Sequence, residues 1–228
     1  MPGSSTAIRM PLSLFQPDGD ICAAGNTAYL IMAERSLMRP AEILKDKAIA
    51  ARCKARVEKA VGAMRQLMWD EEAGTFLPVK PESLEKIPVG TIGSWMALMA
   101  GVPTKTMARR MTEALQTGHW TSPLPVPTVD RKDRRWKADA YWRGDVWPAP
   151  NYQIATGLAR YGCKDQAAGI ADKTIPNARK NGVNEHYDKA SPAEVQIPGA
   201  PSLFWVQAQY TPASFASRLP SSVFRGSS

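Results

Sequence analysis

Residues 141–152 read Tyr-Trp-Arg-Gly-Asp-Val-Trp-Pro-Ala-Pro-Asn-Tyr. Twelve residues thus hold four aromatic rings, an arginine, an acid and an amide. Two prolines and a glycine keep the stretch from forming one continuous helix or strand. Rings that stack, beside groups that hydrogen-bond in two dimensions, suit a sugar, which has apolar C–H faces and a rim of hydroxyls. The competing reading is a buried aromatic corner, with Trp142 and Trp147 as core anchors and Arg143 paired to Asp145. A second stretch, Asn184-Glu185-His186-Tyr187-Asp188, sets a carboxylate beside a histidine and a tyrosine. Glu185 there can serve as a general base that activates water, or stand as a plain acid near a helix end.

Other chemistries find less support. The only histidines are His119 and His186, and Cys22, Cys53 and Cys163 are far apart, so no metal-ligand spacing and no disulfide framework emerge. No metal or organic cofactor is implied. Three reduced thiols, an N-terminus without a signal-type hydrophobic region and the lack of a roughly 20-residue apolar run point to a cytoplasmic, non-membrane protein. The net charge is +8. The densest basic run, Arg131 to Lys137, would serve a nucleic-acid or anion binder only as one face with Arg109 and Arg110. No zinc-finger, helix-turn-helix or ribonucleoprotein pattern accompanies it, so nucleic acid is not the expected partner.

The elements that must position these residues read as helix after helix, and no run shows sustained strand alternation. A Pro, Gly and Ser-rich lead-in covers residues 1–20. A first helix spans about Ala23 to Met38, stopped by Pro40. A long amphipathic helix follows from about Ala41 to Trp69, with Val57, Ala60, Val61, Met64, Leu67 and Met68 on one face. Further helices are expected at Gly90–Ala100, from Thr104 to about Gln116, at Pro150–Tyr161, at Lys164–Asn181, and from Ser202 with Phe204 and Trp205. Residues 117–140 form a long loop, a length that is unusual unless functional. The main domain is set at residues 21–215, and 216–228 form a frayed tail. Stacked helix pairs with long loops at one end predict an all-α, α/α toroid.

Taken in order, the motifs resemble a known family. Tyr141 to Trp147, Asn151-Tyr152, Gly157-Leu158-Ala159-Arg160-Tyr161-Gly162 and Glu185 to Asp188 are similar to the C-terminal part of the glycoside hydrolases of family 63. These are processing α-glucosidases and their mannosylglycerate and glucosylglycerate hydrolase relatives, with family 37 trehalases as more distant kin. Weaker echoes are Leu67 to Gly74 and Met99 to Pro103. The resemblance implies hydrolysis of an α-glycosidic bond with inversion in an (α/α)6 barrel. It implies Glu185 as the general base. Tyr141 and Trp147, with Trp142, Arg143 and Gly144, would then line the sugar subsite for an oligosaccharide or glycoside substrate. Inversion needs two carboxyl groups about 6.5–9.5 Å apart, with water between base and sugar.

The chain departs from that pattern in ways that matter. The family's general acid lies in a Glu-Ser-Gly-x-Asp motif, which this sequence lacks; Asp18 and Asp20 are nearest but without the motif. Asp145 stands where the family has Pro, Lys189 follows Glu-x-Tyr-Asp in place of Pro, and the Ser between Phe204 and Trp205 is gone. About seven helices, against twelve in a complete barrel, imply an incomplete toroid whose inner faces lie open. This chain then carries the general-base half of a site, as a fragment, a split product completed by another chain, or a degenerate remnant. The alternative is a catalytically inactive, carbohydrate-binding or structural half-barrel.

Overall fold

A computed structural model describes residues 21–121, 124–137, 141–181 and 184–187. Seven α-helices are found among these residues: α1 (Ala24–Ile43), α2 (Lys47–Ala63), α3 (Ile92–Ala100), α4 (Lys105–Leu115), α5 (Gly118–Thr121), α6 (Pro148–Arg160) and α7 (Lys164–Asn181). The only extended pair with a ladder is β1 (Trp69–Asp70) against β2 (Thr75–Phe76), antiparallel, among the described residues. The expected lead-in 1–20, the helix from Ser202 and the tail 216–228 lie outside the described residues.

Two helix boundaries differ from the sequence expectation. Pro40 does not stop α1, which runs on to Ile43. Pro40 lies in the final turn, where its missing N–H removes one bond, while its carbonyl still accepts from Leu44 N at 2.9 Å. The reversal comes afterwards, at Lys45 with φ 58°. Asp46 then caps α2 by accepting from Ile49 N at 2.9 Å, so the long helix expected from Ala41 begins at Lys47. Beyond Ala63 the same helix widens into a π-turn over Met64–Met68. The expected cap at Thr104 is present; its Oγ1 accepts from Met107 N at 3.2 Å. Gly101, at φ 66°, makes the left-handed turn between α3 and α4 that a side chain would strain.

Side-chain pairs fix how the helices run. Gly25 of α1 faces Gly93 of α3, and an added Cβ on Gly25 would lie 3.0 Å from the Gly93 Cα. Four residues on, Tyr29 donates to Gln153 of α6 and its hydroxyl lies 3.6 Å from Met96 Sδ of α3. Further along, Gly157 of α6 abuts Leu98, and Arg160 reaches the Met99 carbonyl. The partners rise in number together, so α1, α3 and α6 are parallel. After each comes a reversal and a returning helix, namely α2, α4 and α7.

Burial separates the two layers. Helix α3 buries seven of its nine residues, whereas α2 buries only Cys53 and Val57. A helix apolar all round belongs inside, and one with a narrow apolar stripe belongs outside. Parallel inner helices with returning outer helices make three α/α hairpins, half the complement of an (α/α)6 toroid. Trp95 anchors the core, edge-on to Trp120 at 5.2 Å. Each such fully buried large side chain contributes about 1.5–3 kcal/mol.

Candidate active site

The N-terminal ends of α3 and α6 share one rim with the long loops. Those loops are laced to one another by single bridges: Thr91 with Val129, Pro127 with Val146, and Val146 with Tyr187. Thr128 N donates to Asp145 O at 3.0 Å, while Val146 and Tyr187 exchange two bonds of 2.9 Å. Among the described residues of the stretch expected as one long loop over 117–140, a short helix, α5, comes first, and the remainder is irregular, as expected, with single bridges at Pro127 and Val129 tying it to the rim. Asn151, wholly buried in the first turn of α6, holds the lacing in place. Its Oδ1 accepts from Val126 N at 2.7 Å, and its Nδ2 donates to Val126 O and Trp147 O at 3.1 and 2.9 Å.

The opening motif folds as a 3-10 turn over Tyr141–Arg143, a tight turn at Gly144 and an extended entry into α6. Gly144 is required sterically, because a Cβ there would lie 2.1 Å from the Lys137 carbonyl oxygen. Arg143 does not pair with Asp145; its Nε donates to Arg135 O at 3.4 Å. Trp142 is half-buried and stacks on Trp147, ring centroids 3.8 Å apart and planes 16° apart. Trp147 is 4% exposed and also stacks with His186 at 5.2 Å. Trp147 thus backs Trp142, which keeps the more open ring. The side chain of Tyr141 lies outside what the structure describes.

The Val146–Tyr187 pairing and the His186–Trp147 stacking bring the segment that contains Glu185 to this stack. Glu185 is half-buried between Asn184 and the buried His186. The Nδ1 of His186 lies 2.9 Å from Asp145 Oδ2, and both side chains are almost wholly buried. That contact is an ion pair when the imidazole is protonated. Tyr187 is buried too; its hydroxyl accepts from Asn184 N at 3.4 Å, and burial raises its pKa, so the phenol stays protonated. Nothing in the local sequence ties Asp145 to His186. The unusual Asp in a Trp-rich turn is the one available signal.

The basic run does not form one solvated face. Arg131 turns inward, donating to the His119 and Leu124 carbonyls at 2.9 and 2.8 Å, and desolvation lowers its pKa to about 10. Arg135 forms a bidentate pair with Asp133 and reaches Pro88 O at 2.8 Å. On other elements Arg109 lies 3.9 Å from Glu113, and Arg110 pairs with Glu71 at 2.7 Å. Among the described residues no three His, Cys, Asp or Glu side chains gather as metal ligands would. Nor is any described helix long and apolar enough to cross a membrane. Two clefts, of about 770 Å³ beside α4 and about 370 Å³ between α4 and α7, lie away from Glu185.

The profile of the mannosylglycerate hydrolase MGH1-like glycoside hydrolase domain matches residues 14–200. The chain belongs to this glycoside hydrolase family. Mannosylglycerate hydrolase from Rubrobacter radiotolerans is 31% identical over 165 residues, 71% of this chain and 37% of that protein. The family 63 mannosylglycerate hydrolase of Thermus thermophilus, solved in complex with glucose, superposes with a TM-score of 0.74 at 25% identity. That match covers 87% of this chain and 48% of the other. Neutral trehalase Nth1 from Saccharomyces cerevisiae shares the fold, with a TM-score of 0.63 at 18% identity. The chain therefore spans less than half the length of the family 63 hydrolases it matches, and these residues form part of their all-α toroid.

Proposed function

We propose that this chain carries the general-base half of an inverting family 63 glycosidase site, acting on an α-linked glycoside of the mannosylglycerate or glucosylglycerate type. Glu185 is the base that takes a proton from the attacking water. Trp142 offers its ring to the sugar's C–H face, backed by Trp147. Tyr141, Arg143 and Gly144 complete the subsite, Gly144 by letting the turn close. The general acid, which protonates the leaving oxygen, comes from the toroid half that carries the Glu-Ser-Gly-x-Asp motif in relatives.

The observation that carries the reading is the Val146–Tyr187 pairing, which brings the Glu185 segment against the Trp142–Trp147 stack. A half-buried glutamate next in sequence to His186, which stacks on Trp147, on the rim of a toroid whose relatives include a glucose complex, suits a base above a sugar. The second reading, a sugar-binding half-barrel without turnover, is favoured by one fact: the sequence contains no Glu-Ser-Gly-x-Asp motif. The test is hydrolysis of mannosylglycerate and glucosylglycerate by the chain, alone and with the preceding half of a relative added, beside Glu185→Gln. Turnover that Glu185→Gln abolishes, with the inverted anomer released as seen by NMR, supports the enzyme. Equal, zero turnover for both proteins, with sugar binding intact by calorimetry, selects the second reading.

A further inference from the structure

Three arginines converge on the C-terminal end of α3, at the far end of the inner helices from the rim. Arg35 of α1 donates from Nη1 to Ala100 O. Arg65, in the π-turn after α2, donates from Nε to Val102 O at 2.7 Å. Arg160, the last residue of α6, donates from Nη1 to Met99 O at 3.5 Å. Gly101 lies among them: a Cβ there would stand 3.0 Å from Arg35 Nη1 and 3.1 Å from Arg160 Cζ. Among the described residues no carboxylate forms an ion pair with any of the three. Burial lowers the pKa of Arg35, Arg160 and Arg65 lower it further, and Tyr161 opposes them.

Helix capping accounts for part of this charge. A helix C-terminus carries a negative charge of about half an elementary unit, which a nearby arginine complements. The ends of α3 and α6 together therefore match about one of the three positive charges. About two remain, close to the −1.5 to −2 of a phosphate monoester at neutral pH. Each guanidinium gives one of its five N–H donors to the Met99–Val102 turn. Arg65 and Arg160 are exposed and Arg35 is half-buried, so solvent reaches the remaining donors. We propose that Arg35, Arg65 and Arg160 bind a phosphate group, carried on a hydroxylated small molecule. The body of such a ligand has a place beside the arginines. Arg160 and Tyr161 also wall the cleft of about 770 Å³, with Lys105, Arg109, Glu113 and Gln166. Two further cations against one acid keep that cleft positive, and Gln166 can hydrogen-bond hydroxyls. Planar forks suit phosphate oxygens, and a monocarboxylate brings only one charge to the same place. The site lies away from Glu185 and does not depend on the hydrolase reading.

Calorimetry and thermal unfolding of the full 228-residue protein with inorganic phosphate, glucose 6-phosphate and acetate test the proposal. Saturable 1:1 binding of the phosphates is expected, with a rise in melting temperature, because a ligand of the folded state stabilises it. Arg65→Gln with Arg160→Gln should weaken that binding at least tenfold. Both positions are exposed, so circular dichroism should be kept; Arg160→Glu alone replaces the pair if it is not. Arg52→Gln on the exposed face of α2 should bind as the unaltered protein does. Glucose 6-phosphate binding more tightly than phosphate, with Gln166→Ala removing the difference, supports the monoester and its cleft. Equal affinity for the two supports the arginine site with free phosphate as its ligand. Three results would overturn the proposal: no saturable binding at millimolar phosphate, binding that the arginine variant keeps, or acetate binding as tightly. Arginines that only cap α3 would give the first of these, with a variant less stable than the unaltered protein and no response of either to phosphate.

Discussion

Asp145 Oδ2 lies 2.9 Å from His186 Nδ1, and the two side chains are 2% and 5% exposed. This contact ties the Trp-rich turn to the segment carrying Glu185, beside the backbone bridge of Val146 with Tyr187. His186→Ala removes that contact and the stacking on Trp147, and is expected to destabilise the fold by about 1–3 kcal/mol. The double variant with Asp145→Ala should lose less than the sum of the two single changes. A coupling of about 0.5–3 kcal/mol is the expected size for residues in contact. Urea unfolding of the four proteins in the cycle measures it.

Glycines set the spacing of the inner helices. A Cβ on Gly157 would come within 2.6 Å of Leu98 Cβ and Met99 N, one side chain and one backbone atom that cannot both move away. Gly157→Ala is expected to lose about 1–3 kcal/mol through overpacking. Gly169, in the middle of α7, has nothing within 4 Å of an added Cβ. Gly169→Ala should gain about 0.5–1 kcal/mol from helix propensity. Thermal unfolding should move in opposite directions for the two alanines.

Asn151 is a hub without charge. Asn151→Ala leaves the Val126 N–H and two carbonyls to find other partners in a buried place. A loss of about 1–3 kcal/mol is expected for each buried group left unsatisfied. Because Val126 precedes the segment that pairs with Val146, the same change should speed amide exchange at Thr128 and Val146. Hydrogen exchange read by mass spectrometry checks this; unchanged exchange on the rim would assign Asn151 to α6 alone.

His119 makes stability depend on pH. Its ring nitrogen sits 3.0 Å from Thr117 Oγ1 and 3.3 Å from Asp130 Oδ2. Desolvation lowers its pKa; Asp130 opposes that shift, and Lys132 and Arg131 add to it. A lowered folded pKa means that the unfolded chain holds the proton more tightly. Stability from this group is therefore complete above the ordinary histidine value near 6.5 and falls as pH drops from there through the folded value. The urea midpoint should decline as pH drops below about 6.5, and His119→Gln should flatten that decline.

Local signals are legible where the physics is local. Thr104 and Gly101 are a cap and a stop whose partners stand three or four residues away. Pro40 points to a stop that does not occur, because a proline in a last, exposed turn removes only one bond; Lys45 and Asp46 make the reversal instead. Long-range contacts are not legible. Residues 145 and 186 stand far apart in the sequence, and no periodicity announces that a buried acid will meet a buried imidazole. The motif points to Trp147 ahead of Trp142 for the sugar subsite, yet Trp147 is the buried ring and Trp142 the more open one of the stack. The ordered motifs suffice for the family and the toroid, because those depend on many weak positions together.

The parallel run of α1, α3 and α6 has an electrostatic outcome. Each inner helix turns its N-terminal end toward the rim of loops, and each such end carries a partial positive charge of about half an elementary unit. Three aligned macrodipoles therefore bias one side of the molecule toward anions. An ionised carboxylate on that rim, whether a residue's or a ligand's, sits in a field made by backbone alone, which no side-chain substitution removes.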